Sequence, residues 1–456
     1  MNTEEVNSSS PSDPLRPGLA YLIYSALFCL YLFWAGSPWP HVDDPFFAGG
    51  AVRLAQTGVL TNPWVMDSFP DFNPHHFYLH WPVYFFLLAG WLKMTGIHTT
   101  SICIFYLLSN FILCVSSATV FLRLGLPRII LWPLPILCLG YAAVLGFRPD
   151  SVALSTFFAG LALWCGRSAI SWFFGALLVG NGVAMHSVLC PYALGLGGLL
   201  CFLPHRLSFL EIRNRLLICI AAASTMLLLI TWMIQGDWFA FLADYAKCVN
   251  LRRAHSWNQI TYPIMLLLAR QDPGFLIALT FLLLWSSLRI SRYPHYLPPS
   301  LKSLTLTLWL STLAAALVYY SATRLFLFFM TVWALIWIAS EWPRARQPTK
   351  YIYVLLAMLT FVEIKTAFQA FRPIHIVLPS GPDFSPTKRI VFDEFSFRYL
   401  MDCQPPETAR AWLYLNPQTF GTEIGDKKPE DVWIVDAQKI QNAESHPPRA
   451  EILIFP

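Results

Sequence analysis

Two neighbouring acids, Asp43 and Asp44, follow an apolar run at 19–35 in the stretch Ser37-Pro38-Trp39-Pro40-His41-Val42-Asp43-Asp44-Pro45. A carboxylate placed where a membrane helix meets water can take a proton from an acceptor hydroxyl or amine, and partial desolvation strengthens it as a base. Asp43 is the candidate base. Asp44, followed by Pro45, suits the cap of a helix and orients it. The apolar residues Ala48, Ala51, Val52, Leu54 and Ala55 carry that helix to a stop near Gly58. Capping alone explains one carboxylate, but not two adjacent ones.

A second constellation is Gly146-Phe147-Arg148-Pro149-Asp150, between two apolar runs. Pro149 at a helix start with Asp150 in its first turn is an ordinary N-terminus, and Arg148 beside Asp150 an ordinary local ion pair. The functional alternative has Arg148 neutralising a phosphate through its planar fork, with Asp150 orienting a base, a cation or a sugar hydroxyl. The stretch 235–262 is unusually polar, with Gln235, Asp237, Asp244, Lys247, Arg252, Arg253 and His255. Arg252 and Arg253 are either solvated or hold an anion such as a lipid phosphate. Arg324, at the mouth of a run, reads the same way, or as a snorkelling side chain. His75, His76 and His80 match no firm metal-ligand spacing and read as polar loop residues, while His186 suits a hydrogen-bonded packing histidine at a run's end. There is no Gly-rich phosphate loop, and nothing in the charge distribution points to nucleic acid.

The elements that must position these residues follow from composition. The chain has 456 residues, 56% hydrophobic and 12% charged, against roughly a quarter charged in an ordinary globular domain. Of the 57 charged side chains, 21 lie in residues 371–456, so the first 370 positions carry just under one in ten. Apolar runs occur at 19–35, 81–95, 101–122, 129–147, 151–166, 170–185, 187–203, 216–234, 273–290, 303–320, 324–340 and 351–370. Several reach the ~18–20 residues that cross a bilayer. A soluble enzyme, a disordered scaffold and a β-barrel are excluded, and an all-α polytopic membrane protein is expected. The ten cysteines form no disulfide framework: eight lie in or beside apolar runs, and only Cys248 and Cys403 read as solvent-facing.

Basic clusters set the topology. They are Arg123/Arg128, Arg167, Arg206/Arg213/Arg215, Arg289/Arg292/Lys302 and Arg344/Arg346/Lys350. The run 81–95 is short, aromatic-rich and carries Lys93, which suits a helix lying in the interface. With 81–95 not crossing, all five clusters share a side with the polar N-terminal tail, residues 1–18, and that side is cytoplasmic by the positive-inside rule. The expectation is eleven spans over residues 19–370, with 19–35 a retained anchor and residues 371–456 outside. Asp43, Asp44, Asp150, His186, Asp244 and Lys247 then gather on the outer face, where ionisable groups at an apolar boundary default to functional candidates. After a proline-bearing stretch (Pro373, Pro379, Pro382, Pro386), Asp431–Asp436 and Glu451–Phe455 read as strands and 407–415 as a helix, giving a small C-terminal α/β domain that leans on the membrane part.

The order of these motifs resembles the GT-C glycosyltransferases, in the branch containing the protein O-mannosyltransferases and the lipid A aminoarabinose transferase. There an acidic pair follows the first span and opens a juxtamembrane helix, as Asp43-Asp44 does here. A segment with proline and aromatics ending in glycine forms a second juxtamembrane helix, to which Tyr78–Tyr84 running to Gly96 is similar. An aspartate opens a later span (Asp150), a polar loop follows the seventh (235–262), and a basic residue heads a late one (Arg324). The likeness covers roughly 19–340 and rests on order and placement. Two departures stand out: some relatives carry Glu-Lys where this chain has His80-Trp81, and relatives often have lysine near His186-Ser187. Arg252, Arg253 or Arg324 then become the candidate phosphate-binding cations.

The resemblance implies an inverting transfer of a hexosyl or pentosyl group from a polyprenyl-phosphate carrier to a lipid, glycan or protein acceptor, with the first-loop aspartate as base. It implies a catalytic pair Asp43 and Asp44, with substrate contacts drawn from His80, Arg148, Asp150, His186, Asp244, Lys247, Arg252, Arg253 and Arg324. Some relatives use a divalent metal and others need none. The corresponding location is the inner (plasma) membrane of a bacterium, with site and C-terminus on the periplasmic or extracellular side. The rival readings are a transporter or flippase of a lipid-linked or anionic substrate, and a catalytically inactive relative serving assembly. Transporters place substrate groups near the bilayer midplane between repeats. This chain has few intramembrane charges and no evident repeat, which favours the enzyme.

Overall fold

The computed structural model describes residues 17–38, 40–41, 43–65, 75–124, 128–132, 134–135, 138, 146–166, 168–202 and 209–252. Beyond these it describes only the short stretches 303–304, 306–308, 310–311, 314, 350, 375–377, 389–402, 410–411, 431–436 and 449–455. In chain order they form α1 (Leu19–Trp34), α2 (Asp44–Thr57), α3 (Val83–Thr95), α4 (Thr99–Arg123), α5 (Pro149–Trp164), α6 (Ala169–Met185), α7 (Cys190–Phe202), α8 (Phe209–Met233) and α9 (Trp238–Arg252). β1 (His375–Val377), β2 (Arg389–Phe392), α10 (Glu394–Asp402), β3 (Arg410–Ala411), β4 (Asp431–Asp436) and β5 (Arg449–Phe455) follow. The runs expected at 273–290, 324–340 and 351–370, and most of 129–147 and 303–320, lie outside the described residues.

The described residues are mostly helical, and two helices, α4 and α8, are long and apolar enough to cross a membrane. α3, with 13 residues, reaches only about 20 Å, short of a hydrocarbon core of about 30 Å. α8 begins at Phe209, ahead of the expected 216, so Arg213 and Arg215 lie on the helix. Arg215 stands over the rings of Trp172 and Trp164, at 4.4 and 5.5 Å, and these stacking contacts let the helix continue through its charged first turns.

α5 and α6 form an antiparallel pair whose backbones nearly touch. A Cβ on Gly160 would stand 2.7 Å from the Gly175 carbonyl, one on Gly175 2.9 Å from the Gly160 carbonyl, and one on Gly182 2.8 Å from the Ala153 carbonyl. Small residues at such crossings are how helices approach closely where no hydrophobic drive distinguishes lipid from protein. At one end of this pair Arg123, closing α4, donates to the Cys165 carbonyl at 2.5 Å. The opposite end carries Asp150 and His186.

The C-terminal strands build one five-stranded sheet in the order β1-β5-β4-β2-β3, parallel except for the antiparallel β4–β5 pair. The strands expected at 431–436 and 451–455 are there. Within the range 407–415 expected as a helix, only Arg410–Ala411 is described, and it is a strand paired with Val391–Phe392 at the sheet edge, a non-local bond that local propensity does not register. α10 starts with a reciprocal box in which the Ser396 amide donates to Asp393 Oδ1 (2.9 Å) and the Asp393 amide to Ser396 Oγ (3.3 Å). The sheet region leans on the helices. Trp64, just past α2, packs edge-on against Phe392 and Phe397, and Asp402 Oδ1 accepts the Thr99 amide at 2.8 Å. Asp402 thus satisfies an N-terminal amide of α4 that His98 leaves uncapped. Cys248, read as solvent-facing, is buried, and Cys403 lies outside the described residues.

Candidate functional site

The Asp43-Asp44 pair opens α2, but neither carboxylate caps it. Asp43 occupies the cap position with no side-chain bond to the helix, and Pro45 sits in the first turn. The capping role expected of Asp44 is replaced by longer-range contacts. Asp44 is fully buried, its Oδ1 accepts the Phe147 amide at 2.7 Å, and its Oδ2 lies 3.6 Å from Arg398 Nη2. Asp43, not Asp44, holds the cap position, and the Asp44 carboxylate instead takes a buried, charge-assisted bond from a distant backbone amide.

The strap 146–150 is therefore laid across the start of α2. Gly146 has φ +62°, and a Cβ there would fall 2.2 Å from Asp44 Oδ1 and 2.4 Å from His41 Cβ, so only glycine fits. Tyr84 and Tyr106, their hydroxyls 2.8 Å apart, hold the strap from beneath. Tyr84 donates to the Phe147 carbonyl at 2.9 Å and Tyr106 to that of Arg148 at 2.8 Å.

Arg148 then bridges two carboxylates. Its Nη1 lies 2.5 Å from Asp43 Oδ2 and its Nε 3.0 Å from Asp150 Oδ2, while the guanidinium stands 5.7 Å from the centre of the Phe47 ring. His186 Nε2 is 3.4 Å from the other oxygen of Asp150. His41 Nδ1 accepts the Asp43 amide at 3.2 Å and sits 3.6 Å from Asp43 Oδ2. Two donor groups of Arg148 thus face carboxylates, and a phosphate would meet only the remaining edge of the fork. Burial would raise the carboxyl of Asp150, in the connection before the apolar run. The Arg148 guanidinium and the His186 imidazole outweigh it and hold Asp150 well below the usual carboxylate range.

Exposure separates the two acids of the pair. The Asp43 side chain is 31% exposed and that of Asp44 is sealed. A reactant can approach Asp43, whereas Asp44 can act only on protein.

The other candidates fall into two groups. His80 packs against Phe46 and Phe47, ring centres 5.6 and 5.0 Å away, on the flank of α2. Asp244 and Lys247 pair on α9 at 3.4 Å, with Asp244 buried. α9 joins the α3 approach through aromatics: Trp81 meets Phe241 and Tyr245 at 5.1 and 5.6 Å, and Tyr78 meets Phe241 at 5.8 Å. Burial pushes the Tyr78 phenol up, with Asp237 and Asp244 adding to it. Arg252 ends α9, while Arg253, His255 and Arg324 lie outside the described residues. Among the described residues no group of three or more His, Cys, Asp and Glu side chains is arranged to hold a metal.

Sequence reasoning did not find Tyr84, Tyr106 or Arg398. The tyrosines read as interfacial aromatics, and Arg398 sits more than 350 residues from Pro38 and Asp44 with no local pattern to mark it. No protein-family model matches the chain, and no curated protein matches its sequence.

Proposed function

We propose that the chain is an integral-membrane inverting glycosyltransferase of GT-C-like architecture, with eleven spans over 19–370 and an exoplasmic C-terminal domain at 371–456. It moves a sugar from a polyprenyl-phosphate carrier to an acceptor on the non-cytoplasmic face of a bacterial inner membrane. The observation that carries this reading is the Asp43–Arg148–Asp150 bridge, with the half-open carboxylate of Asp43 at the start of α2. The exposed apolar side chains of α8, among them Leu216, Leu217, Ile220, Leu227, Leu228 and Trp232, support a lipid-facing helix.

In this mechanism an acceptor hydroxyl gives its proton to Asp43 as its oxygen attacks the anomeric carbon of the donor. The bond from that carbon to the phosphate oxygen breaks, polyprenyl phosphate leaves with the electron pair, and the anomeric configuration inverts. No covalent glycosyl-enzyme forms. Asp150, held ionised, keeps Arg148 in place as Asp43 is neutralised. Candidate cations for the departing phosphate are Arg252, Arg253 and Arg324, on the order of motifs alone.

The test is the purified chain in liposomes with a panel of polyprenyl-phosphate sugars and mixed lipid, glycan and peptide acceptors. The native chain should transfer one sugar with inversion. Asp43→Asn should lower the rate by about 10²–10⁴-fold while inserting normally. Native transfer by Asp43→Asn removes Asp43 as base. Passage of intact lipid-linked sugar between leaflets without bond transfer would favour the transporter.

A further inference from the structure

We infer that Arg398, supplied by the C-terminal sheet region, is a positioning residue for the acidic site at the start of α2. Arginine is almost never this buried unless paired, and Arg398 is 6% exposed. Its Nη2 donates to the Pro38 carbonyl and lies 3.6 Å from Asp44 Oδ2, and the guanidinium stands 4.3 Å from the centre of the Phe147 ring. It therefore grips three parts of the site at once: the loop before the acids, the sealed acid and the strap.

The contacts form a continuous series. Arg398 faces Asp44, Asp44 accepts the Phe147 amide, and Phe147 precedes Arg148, whose fork spans Asp43 and Asp150. Arg398 acts on Asp43 through these intermediaries. Its own backbone is fixed from the helical side, because Thr99 Oγ1 donates to the Arg398 carbonyl at 2.6 Å and Asp402 Oδ1 accepts the Thr99 amide. A buried carboxylate and a buried guanidinium each need the other, since either left alone carries an uncompensated charge in a low dielectric. The acid pair is thus assembled jointly by the helical part and the sheet region. As a statement about catalysis this rests on the glycosyltransferase reading; as a statement about geometry it does not.

The experiment is hydrogen–deuterium exchange on the full chain in lipid nanodiscs, comparing the native protein with Arg398→Gln and Arg398→Lys. In Arg398→Gln, exchange at the Phe147 amide should rise about tenfold, as expected on loosening one charge-assisted hydrogen bond. The amides of β2 should keep their protection, and Arg398→Lys should partly restore that of Phe147. Native protection of Phe147 in Arg398→Gln overturns the inference. If Arg398→Gln instead releases the whole sheet region, Trp64→Ala decides, because it weakens docking through Phe392 and Phe397 and leaves the Thr99 and Asp44 contacts of Arg398 intact. Phe147 staying protected in that variant upholds the specific role of Arg398, and equal exposure in both backgrounds refutes it. In the sugar-transfer assay Arg398→Gln should lower kcat about tenfold with the donor KM unchanged. A chain that transfers no sugar removes the enzymatic reading and leaves the exchange result to judge Arg398.

Discussion

Nη1 of Arg148 lies 2.5 Å from Oδ2 of Asp43, across 105 positions of chain, and Nε of the same guanidinium reaches Asp150 at 3.0 Å. One cation thereby ties the start of α2 to the start of α5. Three carboxylates (Asp43, Asp44 and Asp150) meet two guanidiniums (Arg148 and Arg398), so the acids outnumber the arginines by one. That balance suits a site that removes a proton from a neutral acceptor, with Asp43 the member within a reactant's reach.

Arg148→Lys keeps the charge and loses the fork. One ammonium cannot bridge carboxylates approached from two edges of a guanidinium. Sugar transfer should fall about a hundredfold, read from initial rates. A native rate in this variant would mean that charge alone suffices and that the two-pronged geometry is incidental.

Gly146→Ala tests the strap. The left-handed backbone costs an L-residue about 1–2 kcal/mol, and the new methyl would push on Asp44 and His41. Thermal or denaturant unfolding should show a loss of about 2–3 kcal/mol, with transfer impaired in the protein that remains folded. A change within about 0.5 kcal/mol would contradict the packing described.

Asp150 predicts a pH profile. Folded Asp150 titrates below its unfolded counterpart, so its stabilisation is fully present above an unfolded value of about 3.9 and is lost as pH falls through the folded value. Between about pH 8 and pH 5 it is charged in both states. The gap in Tm between the native chain and Asp150→Asn should stay flat over that range and narrow only below about pH 4. A gap that changes steeply near neutrality would assign the stabilisation to another group.

Much of the helical part was legible in the sequence. The Asp-Pro start and Gly58 stop of α2 follow from backbone rules, and Gly58 takes the left-handed conformation such a stop requires. β4 and β5 were legible as apolar strands with turn residues between them. What stayed hidden depends on partners far along the chain. Asp44 looked like a cap because its neighbours are those of a cap, whereas its actual contacts, Phe147 and Arg398, are set by tertiary packing. α10 is amphipathic but only nine residues long, too short a window for helical periodicity to stand out, and β3 is a two-residue edge that exists only because β2 lies beside it. Arg213 and Arg215 marked a loop by the logic of charge, yet the helix runs through them.

The glycine contacts between α5 and α6 bear on the chemistry at their end. α5 carries Asp150 in its first turn and α6 stops one residue before His186, and these two side chains meet at 3.4 Å. Gly182, four positions from the imidazole, lies against Ala153, three positions from the carboxylate. Any side chain at Gly160, Gly175 or Gly182 would wedge the hairpin apart and draw ring from acid. The calibre of the polar mouth is therefore dictated by three residues that possess no functional group.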